Sequence, residues 1–281
     1  MNFAIDDALR KRLEGIRELG RTQIRPLGIE ADRAGRPVDP EHPFFALLLK
    51  LGLGRTRWLG GEPDAEHDAT RSRVGSPPSG GERGNRGAGP SLTGVLLSEE
   101  MAYWDRGVAV SFPGPGLGEP PVLSMGTAEQ KERFLARFRE PDRPRWGSFA
   151  MTEPGAGSDV AAIRTSCKRD GDHWILDGEK SFAANASRAD WIIVWATADP
   201  AQGRAGHRAF VVERDTPGLG DFKIEKKMGL KAYESTSFTL RHCRVPAANL
   251  LGGEDEYGSP AGSRAARRAG CAARVSCTSA S

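Results

Sequence analysis

The stretch His173–Pro200, HWILDGEKSFAANASRADWIIVWATADP, decides the fold. It contains two short runs rich in β-branched and aromatic residues, HWIL and WIIVWA, each followed by a turn-forming pair, Asp177-Gly178 and Asp199-Pro200. Runs of this length bounded by turn formers read as strands. Asp177-Gly178 predicts a hairpin of the type that needs positive φ at both central residues. Downstream the texture repeats, with RAFVVE ahead of Pro217-Gly218 and then STSFTLRHCRVP. Upstream it stops near Pro144. Residues 144 to about 250 are therefore expected to form an antiparallel β half.

The preceding residues have helical periodicity. Leu9, Leu13 and Ile16 recur among Arg, Lys and Glu, with Asp6 or Asp7 placed to cap, predicting an amphipathic helix that breaks or ends near Pro26. FFALLLKLGLG (Phe44 to Gly54) suits a short buried helix stopped by glycine. SLTGVLLSEEMAYWD (Ser91 to Asp105) and GTAEQKERFLARF (Gly126 to Phe138) are two more, the latter with Thr127 and Gln130 at capping-box spacing. Between them, residues 60 to 91 hold almost no large apolar side chain and are dense in Gly, Pro, Ser and charge, so a mobile loop is expected. Its ERGNRG lacks the aromatic residues that would stack on bases.

Composition excludes several classes. The formal charge of +3 includes four arginines, Arg264, Arg267, Arg268 and Arg274, in an acid-free C-terminal stretch; without them the remainder carries −1. Neither a nucleic-acid groove nor a membrane surface follows from such a balance. Cys167, Cys243, Cys271 and Cys277 form no Cys-x-x-Cys pair and no zinc spacing, which predicts reduced thiols and no metal. The N-terminus MNFAIDDALRKRL is too acidic and polar for a signal peptide, and no apolar run approaches the ~20 residues of a membrane span. A soluble, cytoplasmic chain is expected.

One loop stands apart. MTEPGAGSD (Met151 to Asp159) combines three turn formers, a hydroxyl near each end and two carboxylates. It lacks the lysine of a P-loop and the glycine spacing of a Rossmann fingerprint, and GPGLGE (Gly114 to Glu119) puts a proline between its first glycines. Taken alone, the loop reads as a donor strip or as a turn with Glu153 and Asp159 solvated.

Four blocks in order, GTAEQKERFL, GSFAMTEPGAGSDV, WILDGEKSFAANASRADWIIV and KMGLKAYESTSFTLRHCRVPAANLLG, give the chain a resemblance to the acyl-CoA dehydrogenase family from about Ser91 to Gly253. The resemblance implies an α+β architecture: a helical N-terminal domain (1–143, with 60–91 the mobile loop) and an antiparallel, β-barrel-like middle domain (144–253) facing a flavin. It further implies FAD as cofactor and α,β-dehydrogenation of an acyl-CoA thioester, a step of fatty acid or lipid metabolism. An electron acceptor such as an electron-transfer flavoprotein would be the partner, with no nucleic acid involved. Under that resemblance Phe149, Ala150, Met151, Thr152, Gly157 and Ser158 lie along the flavin, and Ser158 also reaches the substrate. Gly155 and Gly157 would let the backbone approach closely, and fixed donors would stabilise the reduced ring.

Phe182, Ala183 and Ala184 would form the second flavin wall. Ala184 falls where the family carries a hydroxyl, and the missing donor costs on the order of 3 kcal/mol unless a backbone N–H replaces it. Phe182 could equally be an ordinary core aromatic. Lys226, Lys227 and Lys231 would touch CoA phosphates or form a solvated face, the second being preferred. His173, His207 and His242 show no acid or nucleophile partner in sequence, and no catalytic residue is assigned.

After NLLGGEDEYGSP the text becomes AGSRAARRAGCAARVSCTSAS, without apolar periodicity, acids or aromatics. The expectation is a truncated acyl-CoA dehydrogenase fold in which the frame changes near Gly262. Residues 254–281 would be a disordered tail in place of the family's C-terminal helical bundle, and with the bundle go the base and the homo-oligomer contacts. Glu254 and Glu256 are not proposed as the base. The alternatives are a flavin oxidase or monooxygenase on the same scaffold, or a non-catalytic binding module.

Overall fold

The structure, a computed structural model, describes residues 5–56 and 90–258. The loop expected at 60–91 and the tail beyond residue 258 lie, but for residues 90 and 91, outside the described residues. Helix α1 spans Asp7–Leu19, and the Asp6 carboxylate accepts the Leu9 N–H at 2.7 Å to cap it. The helix neither breaks nor ends at Pro26. A π-helical turn, Gly20–Ile24, leads straight into α2, Arg25–Ala34. The Arg25 N–H bonds back to the Gly20 carbonyl, five residues away. That widened turn accommodates the proline, whose ring and missing N–H would disturb a regular ladder. Gly35, at φ 67°, ends α2.

Helix α3 is Pro43–Lys50. Helix α4, Pro90–Ser111, is bent at Asp105 (φ −166°, ψ 114°), whose carboxylate accepts the Val108 N–H at 2.8 Å and so recaps the second half. Helix α5 is Glu119–Met125, and α6, Ala128–Leu135, carries the expected capping box.

Seven strands follow among the described residues: β1 Gly147–Ala150, β2 Ser166–Asp170, β3 His173–Ala184, β4 Trp191–Thr197, β5 His207–Glu213, β6 Leu219–Ile224 and β7 Ser235–Pro246. They form one curled sheet in the order β1-β4-β2-β3-β7-β6, with β5 on β4. Most pairings are antiparallel, but β1 and β4 run parallel, as do β2 and β4 at their single register point. Strands β2 and β6 went unmarked in the sequence because both are short, β2 being mostly polar and β6 carrying Gly220 and Asp221 and no fully buried residue.

The Asp177-Gly178 hairpin is corrected by the structure. The β2–β3 turn falls at Gly171 (φ 58°), and Asp177-Gly178 lies inside β3, where the register against β7 shifts between Leu176 and Gly178. A Cβ on Gly178 would come within 2.7 Å of the Thr165 Cα. The glycine therefore serves a close strand approach at a bulge, not a turn.

The apolar run of β4 is buried on both sides. Ile192, Val194 and Ala196 join a core with Ile24, Leu27, Phe45, Leu48 and Val108 from the N-terminal helices. Trp191, Ile193 and Trp195 face the opposite way, against Val122, Phe134, Leu135 and Phe138 of the α5–α6 region. Helices cover both faces, which is why the strand reads as continuously apolar rather than alternating. The buried indoles of Trp146 and Trp191 donate to the carbonyls of Ser111 and Phe134, each at 3.0 Å, fixing sheet to helices with both of these indole N–H groups paired.

Candidate functional site

The Met151–Asp159 loop leaves the end of β1 and turns back at once. The Glu153 and Ala156 N–H groups donate to each other's carbonyls at 3.0 and 3.1 Å, closing a tight turn. Pro154, Gly155, Gly157, Ser158 and Asp159 are exposed, whereas Ala150, Met151 and Ala156 are buried and Phe149 and Thr152 half-buried. Among the described residues, a Cβ on Gly155 or Gly157 would meet no atom within 4 Å beyond its own chain neighbours. Internal packing therefore does not require these glycines, and their open side faces outward, as a surface for close approach of a ligand would.

Beneath the strip lies what sequence reasoning missed. Glu153 is buried, not solvated, and its carboxylate accepts the Lys180 ammonium at 2.7 Å, the Arg164 N–H at 2.6 Å and the Thr165 N–H at 2.9 Å. Lys180 is 0 % exposed and also donates to the Met151 carbonyl at 3.2 Å. Burial alone would raise the Glu153 carboxyl, but the Lys180 charge and the donors outweigh it and hold it below the usual carboxylate range. Burial pushes Lys180 down to about 8 despite Glu153. In sequence, the lysine between Glu179 and Ser181 looks like any surface charge. Only the shift of β3 against β7 between Lys180 and Ala183 reveals why Lys180 and Ser181 both turn inward.

The same irregularity presents the second predicted wall. The Ser181 N–H donates to the Thr152 carbonyl at 2.9 Å, so the strip lies directly against β3 beside Phe182. Phe182 has φ 60° and is 66 % exposed, and is thus not a core aromatic. A bulky residue in the left-handed region costs about 1–3 kcal/mol, which surrounding structure must hold in place. Here the neighbours do so: Ala183 is buried, the Ser148 hydroxyl donates to the Ala184 carbonyl at 2.8 Å, and Asn185 donates to the Val110 carbonyl at 2.9 Å. The Ser181–Thr152 and Ser148–Ala184 bonds thus hold the Phe149–Thr152 segment against the Phe182–Ala184 segment, with Ala150, Met151 and Ala183 buried and Gly157 and Ser158 exposed.

The remaining candidates separate. Lys227 turns inward to donate to the carbonyls of Leu230 and Tyr233 at 2.8 and 2.6 Å, and burial pushes it down to about 8. Lys231 pairs with Asp32 at 3.0 Å, and Lys226 is exposed. His173 and His242 do have acidic neighbours, Asp172 at 2.5 Å and Asp177 at 3.2 Å. His207 is buried and pushed down to about 4 by burial and by the Lys180 and Arg204 charges. Cys167 and Cys243 are buried thiols pushed up to about 12 by burial, and no metal-binding cluster occurs among the described residues. No described helix is long and apolar enough to cross a membrane. A groove of about 660 Å³ on another part of the sheet is lined by Arg137, Arg145, Asp190, Glu213 and Arg214 among others, with Asp190 and Glu213 each already held by two arginines.

Comparison with known proteins matches residues 80–140 to the family described as acyl-CoA dehydrogenase, N-terminal domain, and residues 148–243 to acyl-CoA dehydrogenase, middle domain. The chain is 36 % identical over 242 residues to a cyclohex-1-ene-1-carbonyl-CoA dehydrogenase of Geobacter metallireducens, covering 86 % of this chain and 57 % of that one. It is 30 % identical over 256 residues to an acryloyl-CoA reductase (NADH) of Anaerotignum propionicum, covering 89 % and 58 %. The fold superposes with a TM-score of 0.75 on a glutaryl-coenzyme A dehydrogenase in complex with glutaryl-CoA, at 26 % identity, over 100 % of this chain and 64 % of that one. The chain thus spans somewhat more than half the length of the curated relatives named here.

Proposed function

The chain belongs to the acyl-CoA dehydrogenase family, and from that premise we propose that it carries the flavin-facing half of an FAD-dependent oxidoreductase acting on an acyl-CoA thioester. One observation carries the reading. An outward strip of glycine and hydroxyl residues is hydrogen-bonded through the Thr152 carbonyl to the Ser181 N–H, next in the chain to the strained, exposed Phe182, above the buried Glu153 and Lys180 side chains. Such a surface fits a large planar heterocycle: Phe182 offers a face for stacking, and the open sides of Gly155 and Gly157 admit it at backbone distance.

The flavin, when bound, supplies a two-electron acceptor for the hydride lost from the substrate β-carbon. The residues of this chain bind and orient. Thr152 and Ser158 have hydroxyls of adjustable direction at the two ends of the strip, and Gly155 and Gly157 have backbone N–H groups between them. Donors already fixed before reaction stabilise developing negative charge without reorganising. Ser158, exposed at the outer end, is the residue placed for the thioester side of the substrate. Ala184 supplies no hydroxyl, and its carbonyl is taken by Ser148.

Removal of the α-proton requires a free carboxylate. Glu153 does not qualify: it lies below the strip in its ion pair with Lys180. The base is assigned to no described residue, and the electron-accepting partner is an electron-transfer flavoprotein or a molecule of like chemistry.

The test is a fluorescence titration of the purified chain with FAD. Saturable quenching of the flavin with a micromolar or tighter Kd, weakened at least tenfold by Phe182→Ala, is the expected result. Absence of saturable binding in a folded chain would overturn the reading.

A further inference from the structure

We infer that Glu153 and Lys180 are positioning residues, whose buried ion pair fixes the Met151–Ser158 strip so that its exposed donors keep one direction. The inference rests on the flavin reading of that strip.

Met151 and Ala156 anchor the strip in the core, and its other attachments are few. Within itself it closes through the Glu153–Ala156 pair of backbone bonds, and the Thr152 carbonyl accepts from Ser181. Other polar contacts that hold it down run through the two side chains: Lys180 to the Met151 carbonyl, Lys180 to Glu153, and Glu153 to the Arg164 and Thr165 N–H groups. Pro154, Gly155, Gly157 and Ser158 are exposed, and the Cβ positions of both glycines are empty out to 4 Å, so no apolar packing substitutes for these bonds there. The exposed glycines on either side of the buried Ala156 sample many backbone directions unless the turn is fixed.

Stability alone does not explain a charge pair here. Replacing a buried ion pair by apolar residues of similar volume is often neutral or stabilising, because desolvating two charges offsets their attraction. What the pair provides and a methionine–glutamine pair does not is direction. One ammonium bonded to both the Met151 carbonyl and Glu153, and one carboxylate with short bonds to two consecutive N–H groups, define where the turn starts and how it is rotated.

The experiment compares the parent chain with Glu153→Gln/Lys180→Met and with Glu153→Gln alone. Three quantities are read: the thermal midpoint, hydrogen exchange at the residue-153 and Ala156 amides in the flavin-free chain, and the FAD dissociation constant. The double variant is expected to melt close to the parent. Exchange at those two amides is expected to accelerate at least tenfold while strand β4 amides stay unchanged, and FAD binding to weaken at least tenfold. Unchanged exchange at both amides, or equal acceleration throughout the sheet, overturns the positioning role. If the double variant does not fold, Glu153→Gln decides by the same local-against-global comparison, since its single amide oxygen still accepts one of the Arg164 and Thr165 N–H groups. A parent chain that binds no FAD would remove the flavin reading, while the exchange data would still decide whether the pair directs the strip.

Discussion

Phe182 shows how much one residue's conformation decides. With φ 60° and two-thirds of its surface exposed, it contributes little to the core. Phe182→Gly removes the left-handed strain, so the unfolding free energy is expected to hold or rise slightly rather than fall by the ~3–5 kcal/mol typical of truncating a buried phenylalanine. A loss of several kcal/mol in urea unfolding would contradict this. His207 makes the second residue-scale prediction. Its folded value of about 4 lies below the ordinary 6.5, so between those limits the unfolded chain binds more protons and stability drops as pH falls. The neutral ring contributes fully above pH 6.5, and roughly 3 kcal/mol is lost on passing to pH 4. Urea midpoints measured from pH 7 to 4 should fall less steeply in His207→Gln than in the parent.

At the scale of elements, helix α6 and strand β3 make opposite demands. Thr127 caps α6, and its replacement by alanine is expected to cost about 1 kcal/mol. Gln130 does more than complete the cap: its amide donates to the Ala248 and Leu250 carbonyls at 2.9 and 2.7 Å, and its oxygen accepts the Gly252 N–H at 3.0 Å. Gln130→Ala should therefore destabilise by clearly more than Thr127→Ala, by about 2–3 kcal/mol in chemical denaturation, since it strands three partly buried backbone groups. In β3, Gly178→Ala places a methyl within 2.7 Å of the Thr165 backbone. A stability loss of at least about 2 kcal/mol is expected, together with faster exchange at the Thr165 amide, because β2 must shift.

Across the whole molecule, one buried pair joins the N-terminal segment to the sheet. Arg188 lies 3.3 Å from Glu234 and donates to the Val38 carbonyl at 3.0 Å, while the Val38 N–H donates to Ala232. Glu234 further accepts the Ser187 hydroxyl at 2.6 Å. Removing the carboxylate leaves the guanidinium uncompensated, and Glu234→Ala is expected to cost about 3 kcal/mol or more. The loss should change little between low and high salt, because the pair is shielded from screening ions. A strongly salt-dependent change would show that it is solvated.

Local pattern and tertiary contact divide the account of this protein between them. Turn chemistry, strand texture and the Thr127–Gln130 spacing are properties of neighbouring residues, so the helical and β halves, the α6 cap and the outward glycine strip were legible in the sequence alone. The π turn before Pro26, the bulge at Gly178 and the inward turn of Lys180 were not, since each depends on which strand or helix lies alongside. The sequence left open whether Phe182 was core or surface. The register shift between Lys180 and Ala183 decided that, turning Lys180 and Ser181 inward and Phe182 outward. Burial is a non-local quantity, set by what packs from the far side of the sheet. The chain by itself therefore specified the loop and the strand texture around it, and only the folded sheet determined that Glu153 and Lys180 would be buried together beneath that loop.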